Sequence, residues 1–411
     1  MKKQSPAVCF LAALLLTGCA DKNPYTDYRT DQAAEEESAV TETSPRMTTV
    51  TTRTEQETTT TTVSEPPFAD MIEDETEKGY YCEIYDKLSS GGTTTKFYDI
   101  MGEQTLFDDI YYLLYEKESR FFWLKNGYKI DWYKYPAHVI YDYMDGLTLH
   151  KQRQMTEELE QAAAELIAQI PEGADDYETV RFVHDYLMDH VEYSYDETDQ
   201  STYTIAHTAY GAFVNHKAVC SGYSRAFLYI MNELGMDAGY CFGGAEDQRS
   251  HAWNYVRIDG DYYWLDVTWD DQRFTEQPET GRRYDYFLLN DEMFLKSHSL
   301  DNRQFFIPRC TSLDLNYYKL MDAFLDEYDF DAFCDVFEAQ KDDGVMHVMF
   351  RNEEALNAAI ADLFTNNGID EVPAMMGKHW LGYTYNENVN LLIIRFEDAE
   401  EPVQTDVPAV T

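Results

Sequence analysis

Two β-rich runs separated by a two-residue turn signal restrict the local fold more than any other feature of this 411-residue chain. Polar and apolar residues alternate in both runs, which is typical of strands with one buried face. Between the runs stands Asp259-Gly260, a dipeptide that favours the tight turn of a hairpin. The sequence therefore predicts an antiparallel hairpin formed by 251–258 and 261–268.

The loop length fixes the register of this hairpin, because a two-residue turn pairs Ile258 with Asp261. Trp253 then faces Asp266, and His251 becomes the diagonal neighbour of Asp266 on the same face of the sheet. Diagonal neighbours lie roughly 7–8 Å apart at the backbone, which an imidazole and a carboxylate can span. A slip of one residue would place the two side chains on opposite faces. The turn therefore predicts a His251–Asp266 pair.

An amphipathic helix precedes the hairpin and carries a cysteine at its N-terminus. The apolar positions recur at helical spacing: Tyr223, Phe227, Ile230, Met231 and Leu234. Gly235 ends the pattern as a C-terminal cap. Cys220 lies at or just before the first turn, where unpaired N–H groups and the helix dipole favour a thiolate and can stabilise an oxyanion. Ser221 and Gly222 keep this entry free of bulk for a substrate backbone.

A helix-terminal cysteine followed by a His–Asp pair fits nucleophilic acyl transfer. Cys220 would attack a carbonyl as a thiolate, and His251 would accept and return the proton. Asp266 would fix the tautomer and orientation of the imidazole. These three residues therefore predict thiol acyl chemistry on peptide or amide bonds.

The same block resembles the transglutaminase-like superfamily, and related matches extend the resemblance over residues 152–300. Three motifs carry it: Cys220-Ser221-Gly222-Tyr223, His251-Ala252-Trp253-Asn254 and Asp266-Val267-Thr268-Trp269. The resemblance implies an α+β fold with a papain-like transglutaminase core, in which the helix bearing the cysteine packs on an antiparallel sheet bearing the histidine and the aspartate. It also implies calcium-independent thiol chemistry, so we expect no metal and no cofactor. The reaction stays open, because the superfamily includes transglutaminases, proteases, amidases and inactive proteins.

Four residues near the three motifs are candidates for the substrate cleft. They are Ser221, Gly222, Trp253 and Tyr210. Tyr210, Asn215 and His216, shortly before the nucleophile, are also candidates for a second oxyanion donor. For Trp253, packing in the core is an equally good interpretation. His298 is matched by the resemblance alone, and we assign it no catalytic role.

The first nineteen residues resemble a bacterial lipoprotein signal. Lys2 and Lys3 give a charged start, and Val8–Leu16 is an apolar run too short to span a bilayer as a permanent helix. Leu16-Thr17-Gly18-Cys19 resembles a lipobox, in which the cysteine becomes the lipidated first residue of the mature protein. An ordinary secretory signal cleaved nearby is the alternative. We therefore expect a chain held at the extracytoplasmic face of the cell membrane by the lipid on Cys19 alone.

Composition and pattern divide the chain into six segments. We expect a signal peptide at 1–19, a disordered acidic threonine-rich linker at 20–67, an N-terminal region packed on the core at 68–150, the transglutaminase-like domain at 151–309, a small α+β domain at 310–396 and a disordered acidic tail at 397–411. Helical spacing predicts helices at 108–115, 155–170, 175–190, 323–339 and 353–364. Strands are predicted at 345–351 and within 381–396, and Asn126-Gly127 predicts a hairpin over 120–135.

The formal net charge of −44 argues against nucleic acid as a partner, since no basic face is available to neutralise phosphates. Our leading hypothesis is a cell-surface cysteine acyl hydrolase or acyltransferase acting on a peptide or protein substrate, with the cell envelope as one source. The alternative is a catalytically silent binding module of the same fold for cell-envelope proteins or glycans. A third possibility, glycan binding through the aromatic run 121–135, rests on composition alone.

Overall fold

The computed structural model describes residues 65–98, 104–131, 133–144, 146–246, 249–271 and 282–398. Helices and mainly antiparallel strands alternate along these ranges, so the predicted α+β class is confirmed. The first elements are α1 (Glu75–Ser89), β1 (Thr94–Phe97), α2 (Gln104–Lys117), β2 (Leu124–Asp131) and β3 (Ala137–Tyr143).

The three N-terminal strands form an antiparallel sheet in the order β1-β3-β2. The predicted hairpin around Asn126-Gly127 is wrong, because both residues lie inside β2 and the partner of that strand is β3. The register shifts between Leu124 and Tyr128, so the strand absorbs the dipeptide as an irregularity instead of reversing there. Tyr128 packs against Tyr141 of β3 with 6.0 Å between ring centroids. This contact joins the sheet across the irregular position.

The central region contains the helix and the hairpin predicted from the sequence. Its elements are α3 (Leu149–Ile167), α4 (Asp176–His190), β4 (Glu192–Tyr193), α5 (Glu197–Ser201), α6 (Ala209–Phe213), β5 (Lys217–Ala218), α7 (Cys220–Glu233), β6 (Ala238–Ala245), β7 (Arg249–Ile258), β8 (Asp261–Leu265), α8 (Val267–Asp270), β9 (Phe287–Leu289), α9 (Asp291–Phe294) and β10 (His298–Leu300). The predicted helix at 175–190 is confirmed as α4, which Asp175 caps in a capping box with Glu178. The helix predicted at 155–170 is confirmed as α3, although it begins earlier and ends at Ile167.

The central sheet has five antiparallel strands in the order β10-β6-β7-β8-β9. Ile258 pairs with Asp261 and Asn254 pairs with Leu265, so the predicted register of the hairpin is confirmed. The second strand is shorter than predicted and ends at Leu265. Asp266 follows it as the N-cap residue of α8. The carboxylate therefore lies at the junction between a strand and a helix.

Helix α7 packs against the sheet along its whole length. Every residue from Ser221 to Met231 is buried, which explains the apolar stripe in the sequence. The Asn254 side chain of β7 donates hydrogen bonds to the carbonyl oxygens of Ser224 on α7, at 2.9 Å, and Gly239 on β6, at 3.0 Å. Gly235 has a φ of 71° just after the helix, as its predicted capping role requires. The N-terminus of α7 is thus fixed relative to β7.

The N-terminal region contacts the central sheet through two buried charged residues at the end of α2. Lys117 Nζ donates to Asp237 Oδ1 at 2.7 Å, to the Ala238 carbonyl oxygen at 2.8 Å and to the Tyr255 hydroxyl at 3.2 Å. Glu116 accepts a 2.8 Å hydrogen bond from the Phe305 backbone N–H. These contacts join α2 to β6 and to the segment after β10.

The C-terminal region forms a separate four-stranded sheet in the order β11-β12-β14-β13. Its elements are α10 (Tyr317–Leu320), β11 (Phe324–Leu325), α11 (Phe330–Gln340), β12 (Val345–Phe350), α12 (Glu353–Ile360), β13 (Lys378–Asn386) and β14 (Leu391–Asp398). The helix predicted at 323–339 begins later because Asp329 caps its first turn. The strand β14 extends through Asp398, two residues into the predicted tail.

Several predictions concern the chain termini. The signal segment with Cys19, the linker up to residue 64 and the tail from residue 399 lie outside the described residues. Within the described ranges, no helix combines the length and apolar character needed to cross a bilayer. The five cysteines in these ranges, Cys82, Cys220, Cys241, Cys310 and Cys334, are all free thiols.

Candidate active site

Cys220 is the first residue of α7, as the sequence predicts. Val219 precedes it and provides no side-chain cap for the helix. Every other α-helix whose preceding residue is described has a side-chain cap; the caps are Asp74, Thr148, Asp175, Asp196, Thr208, Asp266, Asn290, Asn316, Asp329 and Asn352. The helix that begins at Cys220 therefore keeps its first N–H groups free of a capping side chain, where they can bind an oxyanion.

His251 and Asp266 form a short buried hydrogen bond. The distance between His251 Nε2 and Asp266 Oδ2 is 2.6 Å, and the residues are 8% and 1% exposed. Because the carboxylate binds Nε2, Nδ1 is the ring nitrogen left to face the nucleophile. The Cys220 side chain is hydrogen-bonded to His251. The three predicted residues are thus connected in the order Cys220, His251, Asp266.

The Asp266 carboxylate is held by four hydrogen-bond contacts. Its Oδ1 accepts from the backbone N–H groups of Thr268 at 3.0 Å and Trp269 at 3.2 Å, because the residue caps α8. Its Oδ2 contacts His251 Nε2 and also His298 Nε2, the latter at 3.2 Å. Burial alone would raise the pKa of Asp266, but the charge and hydrogen bond of His251 outweigh burial and lower it far below 3.8. The residue is therefore a fixed anion.

The fixed anion determines the charge state of its neighbour. Burial favours the neutral form of His251, but the charge of Asp266, their hydrogen bond and the contact with Cys220 raise the pKa of His251 from 6.5 to about 10. An imidazolium beside Cys220 stabilises a thiolate by charge attraction. The arrangement thus favours a protonated His251 beside Cys220 at neutral pH.

Aromatic rings enclose the histidine and restrict its orientation. The Trp269 ring stacks on His251 with 5.1 Å between centroids and an interplanar angle of 26°. His298 lies on the edge strand β10, and its Nδ1 is 3.0 Å from Ser297 Oγ. Burial lowers the pKa of His298. A neutral His298 can donate from Nε2 to Asp266 while it accepts from the Ser297 hydroxyl. His298, to which the sequence assigns no role, is therefore the second imidazole on the carboxylate.

Ser221 and Gly222 do not line an open surface. Ser221 Oγ lies 2.7 Å from His207 Nδ1, and His207 Nε2 faces two backbone carbonyl oxygens at 2.8 and 3.1 Å. The carbonyls require a proton on Nε2, so Nδ1 accepts the hydrogen bond from the Ser221 hydroxyl. A Cβ on Gly222 would lie 2.2 Å from the Ala206 carbonyl oxygen. The glycine is therefore required by the packing of α7, a reason unrelated to substrate approach.

Trp253 and Tyr210 lie away from any open cleft. Trp253 is fully buried, and its ring packs 4.8 Å from His298, so the core-packing alternative describes its position. Tyr210 on α6 is 8% exposed and its hydroxyl donates to Glu158 of α3. That hydrogen bond turns the Tyr210 hydroxyl toward α3, so the structure does not support it as the second oxyanion donor.

The cluster around Asp266 has the composition of a metal site. One donor atom each from His251, Asp266 and His298 lie within 4.8 Å of one another. Two imidazoles and a carboxylate suit transition metals. The distances of 2.6 and 3.2 Å are those of N–H···O hydrogen bonds, and a cation would replace both. The expectation of no metal therefore rests on the family resemblance and stays a prediction.

Part of the chain is similar to a known protein family. Residues 164–268 match the family model of the transglutaminase-like superfamily. The chain contains a transglutaminase-like domain. Cys220, His251 and Asp266 all lie inside the matched residues, whereas His298 lies beyond them.

Solved structures resemble the chain only weakly. One is described as "Crystal structure of a TGase"; it is 14% identical, the match covers 41% of this chain and 48% of that chain, and the TM-score is 0.27. Another, "The Crystal Structure of a Putative Cysteine Protease from Cytophaga hutchinsonii", is 14% identical over 35% of this chain and 62% of that one, with a TM-score of 0.23. The chain thus spans about half the length of the first structure and about three fifths of the length of the second. No curated protein matches the sequence significantly.

Two polar groups in the transglutaminase-like domain are missed by the sequence patterns. His207 is one, through its hydrogen bond to Ser221. The other is Arg225, which is 5% exposed and lies between two tyrosine rings. Its signal is present in the sequence, because Arg225 is the single cation between Cys220 and Leu234 in a helix predicted to be buried. A charge inside an apolar helix calls for a buried partner or a ligand.

Proposed function

We propose that this protein is a lipid-anchored, cell-surface cysteine acyl hydrolase or acyltransferase that acts on peptide or amide bonds. The observation that carries the proposal is the hydrogen-bonded series Cys220–His251–Asp266 at the N-terminus of an uncapped helix. Geometry of this kind positions a nucleophile, its base and the group that orients the base. The match of residues 164–268 to the transglutaminase-like superfamily supports the same chemistry.

In the first half of the reaction, the Cys220 thiolate attacks the amide carbonyl carbon and forms a carbon–sulfur bond. The carbonyl electron pair moves to oxygen, and the oxyanion binds the N–H groups of the first turn of α7. The tetrahedral intermediate then collapses, and the carbon–nitrogen bond breaks as the His251 imidazolium donates its proton to the leaving amine. The products are a thioester on Cys220, a free amine and a neutral His251.

In the second half, neutral His251 accepts a proton from water or from an acceptor amine, which attacks the thioester carbonyl. The carbon–sulfur bond breaks, the acyl group leaves as a carboxylic acid or a new amide, and the imidazolium–thiolate pair is restored. Asp266 stays ionised throughout and holds Nε2–H of His251. The same three residues therefore support hydrolysis and transfer, and the acceptor decides between them.

Selective labelling of Cys220 tests the activated nucleophile. A thiol-directed electrophile should modify Cys220 well before Cys82 and Cys334, which are matched controls because all three are partly buried free thiols. His251→Ala should slow the labelling of Cys220 and leave the two controls unchanged. Equal labelling of the three cysteines would contradict the enzyme proposal and favour the silent binding module.

Trapping the acyl-enzyme tests the reaction itself. Incubation with cell-envelope extract followed by mass analysis should give an acyl adduct on Cys220 that Cys220→Ser loses. Addition of a free amine then separates the two reactions, because a transferase yields the new amide and a hydrolase yields only the acid. A wild-type protein that never carries an adduct, although Cys220 labels selectively, would overturn the proposed acyl chemistry on this source of substrate.

The cell-surface location is proposed from the sequence of the signal segment, Leu16-Thr17-Gly18-Cys19. Expression in bacteria should place the wild-type protein in the membrane fraction and Cys19→Ala in a different fraction, because the lipid is the expected anchor. Lipid found on Cys19 by mass analysis would support the anchor directly. Identical fractionation of both proteins would contradict it.

A further inference from the structure

Arg225 lies on α7, five residues after Cys220, and has no charged partner. It is 5% exposed, and among the described residues its guanidinium makes no ion pair. Its Nη1 donates to the Tyr115 carbonyl oxygen at 3.3 Å, and the guanidinium is also in hydrogen-bond contact with the Tyr115 side chain. Nε and Nη2 are buried and have no hydrogen-bond partner in the described residues. A buried charge is costly unless it is paired, so this arrangement needs an explanation.

Tyrosine rings pack around the guanidinium and provide part of the attraction that an anion would provide. The Arg225 carbon Cζ lies 4.1 Å from the ring centroid of Tyr115 and 4.4 Å from that of Tyr240. These cation–π contacts supply attraction to the ring faces but satisfy no N–H donor. The Tyr203 hydroxyl, whose ring is close enough to interact electrostatically with Arg225, is buried and unpartnered as well. Two guanidinium donors and a hydroxyl in the same neighbourhood are therefore without an acceptor among the described residues.

The donors match the two oxygens of a carboxylate, the anionic group that a peptide substrate carries. A guanidinium binds the two oxygens of a carboxylate through two parallel N–H···O bonds, and the tyrosine hydroxyl adds a third donor. The sequence has 76 acidic residues, but none of those in the described ranges pairs with Arg225. At a formal charge of −44 the protein repels acidic molecules in general, so recognition of one requires a local cation of this kind.

The rings of Tyr115, Tyr203 and Tyr240 form a tyrosine cage around Arg225, and this cage lies next to the active site. Arg225 follows Cys220 by about 7.5 Å along the helix axis and about 140° around it. Tyr240, which packs on the guanidinium, links the two, because it interacts electrostatically with Cys220. Tyr240 on β6 precedes Gly243 by three residues, roughly 10 Å of strand, and Gly243 pairs with His251. Tyr115 and Tyr203 are partly exposed, whereas Tyr240 is buried, so the cage is nearest to the surface on the Tyr115 and Tyr203 side. Its donor atoms are themselves buried.

We propose that Arg225, with the Tyr203 hydroxyl, binds a carboxylate of the acyl donor about 8–10 Å from the carbonyl that Cys220 attacks. The substrate class is an acidic peptide that carries a side-chain or terminal carboxylate within two or three residues of the reacting amide. The identification of the acyl donor rests on the proposed function; the anion site itself does not. Displacement of Tyr203 toward solvent opens the donors to the ligand.

A series of charged electrophiles tests the anion site without knowledge of the substrate. N-iodoacetyl ω-amino acids with one to five methylenes place a carboxylate at increasing distance from the carbon that Cys220 attacks, and their N-methylamides are neutral controls. We expect wild-type Cys220 to react at least about tenfold faster with the acid than with the amide at the length that spans the distance, as charge-assisted hydrogen bonds imply. At shorter lengths the negative protein should make the acid the slower reagent.

Two variants assign the preference to the cage. Arg225→Gln should abolish the preference for the acid, and Tyr203→Phe, which removes only a hydroxyl, should reduce it about threefold or more. Arg257→Gln is the control, because Arg257 is an exposed arginine on β7. Acids that react more slowly than amides at every length in the wild type, or a preference that survives Arg225→Gln in folded protein, would overturn the anion site. Where Arg225→Gln fails to fold, the wild-type series and Tyr203→Phe decide.

Labelling preference and amide turnover together distinguish a failure of the anion site from a failure of the proposed enzyme activity. Length-dependent preference for the acid without turnover of any amide supports the anion site and counts against the enzyme. Turnover without any preference for carboxylate-bearing peptides over their amide counterparts supports the enzyme and overturns the anion site. Peptide pairs that differ only by Glu or Gln near the reacting amide should show the same tenfold ratio in kcat/KM.

Discussion

His298 Nε2 lies 3.2 Å from Asp266 Oδ2, the oxygen that also binds His251. His298 lies on the edge strand β10, whereas Asp266 follows β8, which is three strands away in the sheet. A second imidazole on this oxygen restricts the rotation of the carboxylate. His298 is therefore a positioning residue, which acts on His251 through Asp266.

His298→Phe should lower the rate of Cys220 labelling and of turnover about tenfold. The substitution keeps the stacking of the ring on Phe294, at 4.0 Å between centroids, but removes a hydrogen bond to a charged group. His190→Phe is the control, because His190 is exposed on α4. Labelling quenched at set times, followed by peptide mass analysis, measures the Cys220 labelling rate of both variants. A rate equal to that of the control would show that His251 does not depend on the second imidazole.

Asp266→Asn should reduce turnover at least a hundredfold, since the triad mechanism depends on the carboxylate to hold the tautomer of the histidine. The amide can keep the cap on α8 through its oxygen, so the fold is expected to persist. Asp261→Asn, at an exposed position of the same hairpin, provides the comparison. Steady-state kinetics on the trapped donor, with circular dichroism of each variant, would separate loss of chemistry from loss of fold.

The free energy of unfolding should depend on pH through the same pair. The pKa of Asp266 is lowered, so its contribution is present above about pH 4 and is lost as the pH falls below that value. The pKa of His251 is raised from 6.5 to about 10, so its contribution is full below pH 6.5 and is lost as the pH rises toward 10. The pair therefore stabilises the protein most between about pH 4 and 6.5.

Urea unfolding of the wild type and of Asp266→Asn measures this contribution. The difference in unfolding free energy should be about 3 kcal/mol near pH 5.5, typical of a broken buried pair, and should fall to roughly 1 kcal/mol near pH 9.5. A difference that is constant over this range, or that increases with pH, would contradict the assigned charge states.

The turn chemistry explains why the active-site hairpin could be predicted from the sequence. Asp259-Gly260 permits a two-residue loop, and that loop determined which residues face each other along β7 and β8. The same rule failed at Asn126-Gly127, where β2 continues and pairs with a later strand. A local turn signal is decisive only when the strands on both sides prefer each other as partners.

The side chains that contact Asp266 and Arg225 could not be predicted, because they come from segments that are distant in the sequence. His298 reaches Asp266 across 32 residues of sequence, and no spacing rule connects a histidine on β10 with a carboxylate after β8. The cage of Arg225 combines side chains from α2, the segment before α6, and β6. Such groups come together only after the sheet and α7 have packed.

His184→Leu should lower the free energy of unfolding by about 3 kcal/mol. His184 Nε2 lies 3.0 Å from Asp270 Oδ2, and both side chains are fully buried, so the variant leaves an unpaired carboxyl group. Burial already raises the pKa of Asp270 to about 7, and loss of the histidine raises it further. Burial opposes the charge on His184, but its hydrogen bonds to Asp185 and Asp270 raise its pKa. The loss should therefore be present both at pH 5, where the imidazolium is removed, and at pH 8, where Asp270 must ionise without its partner.

Denaturant unfolding at the two pH values tests this prediction. His190→Leu is a suitable control, because it removes an exposed histidine from the last turn of the same helix and leaves Asp270 paired. A loss for His184→Leu that matches the control at both pH values would show that the buried pair does not stabilise the contact between α4 and α8.

Gly222→Ala should destabilise the protein and slow the labelling of Cys220, because the new Cβ would lie 2.2 Å from the Ala206 carbonyl oxygen. The obstacle is backbone, so α7 must move away from the 206 segment, and the nucleophile two residues earlier must move with it. Overpacking of this kind costs about 1–3 kcal/mol, and a shift of the nucleophile relative to His251 reduces the rate separately.

Gly79→Ala provides the matched control for this substitution. Gly79 lies inside α1, and a Cβ there meets nothing within 4 Å, so alanine should increase stability by roughly 0.5–1 kcal/mol through helix propensity. Opposite signs for the two substitutions in thermal unfolding, with slower labelling in Gly222→Ala alone, are the expected result. Stabilisation by both would show that α7 accepts a side chain at its entry and that the position of Cys220 does not depend on this close contact.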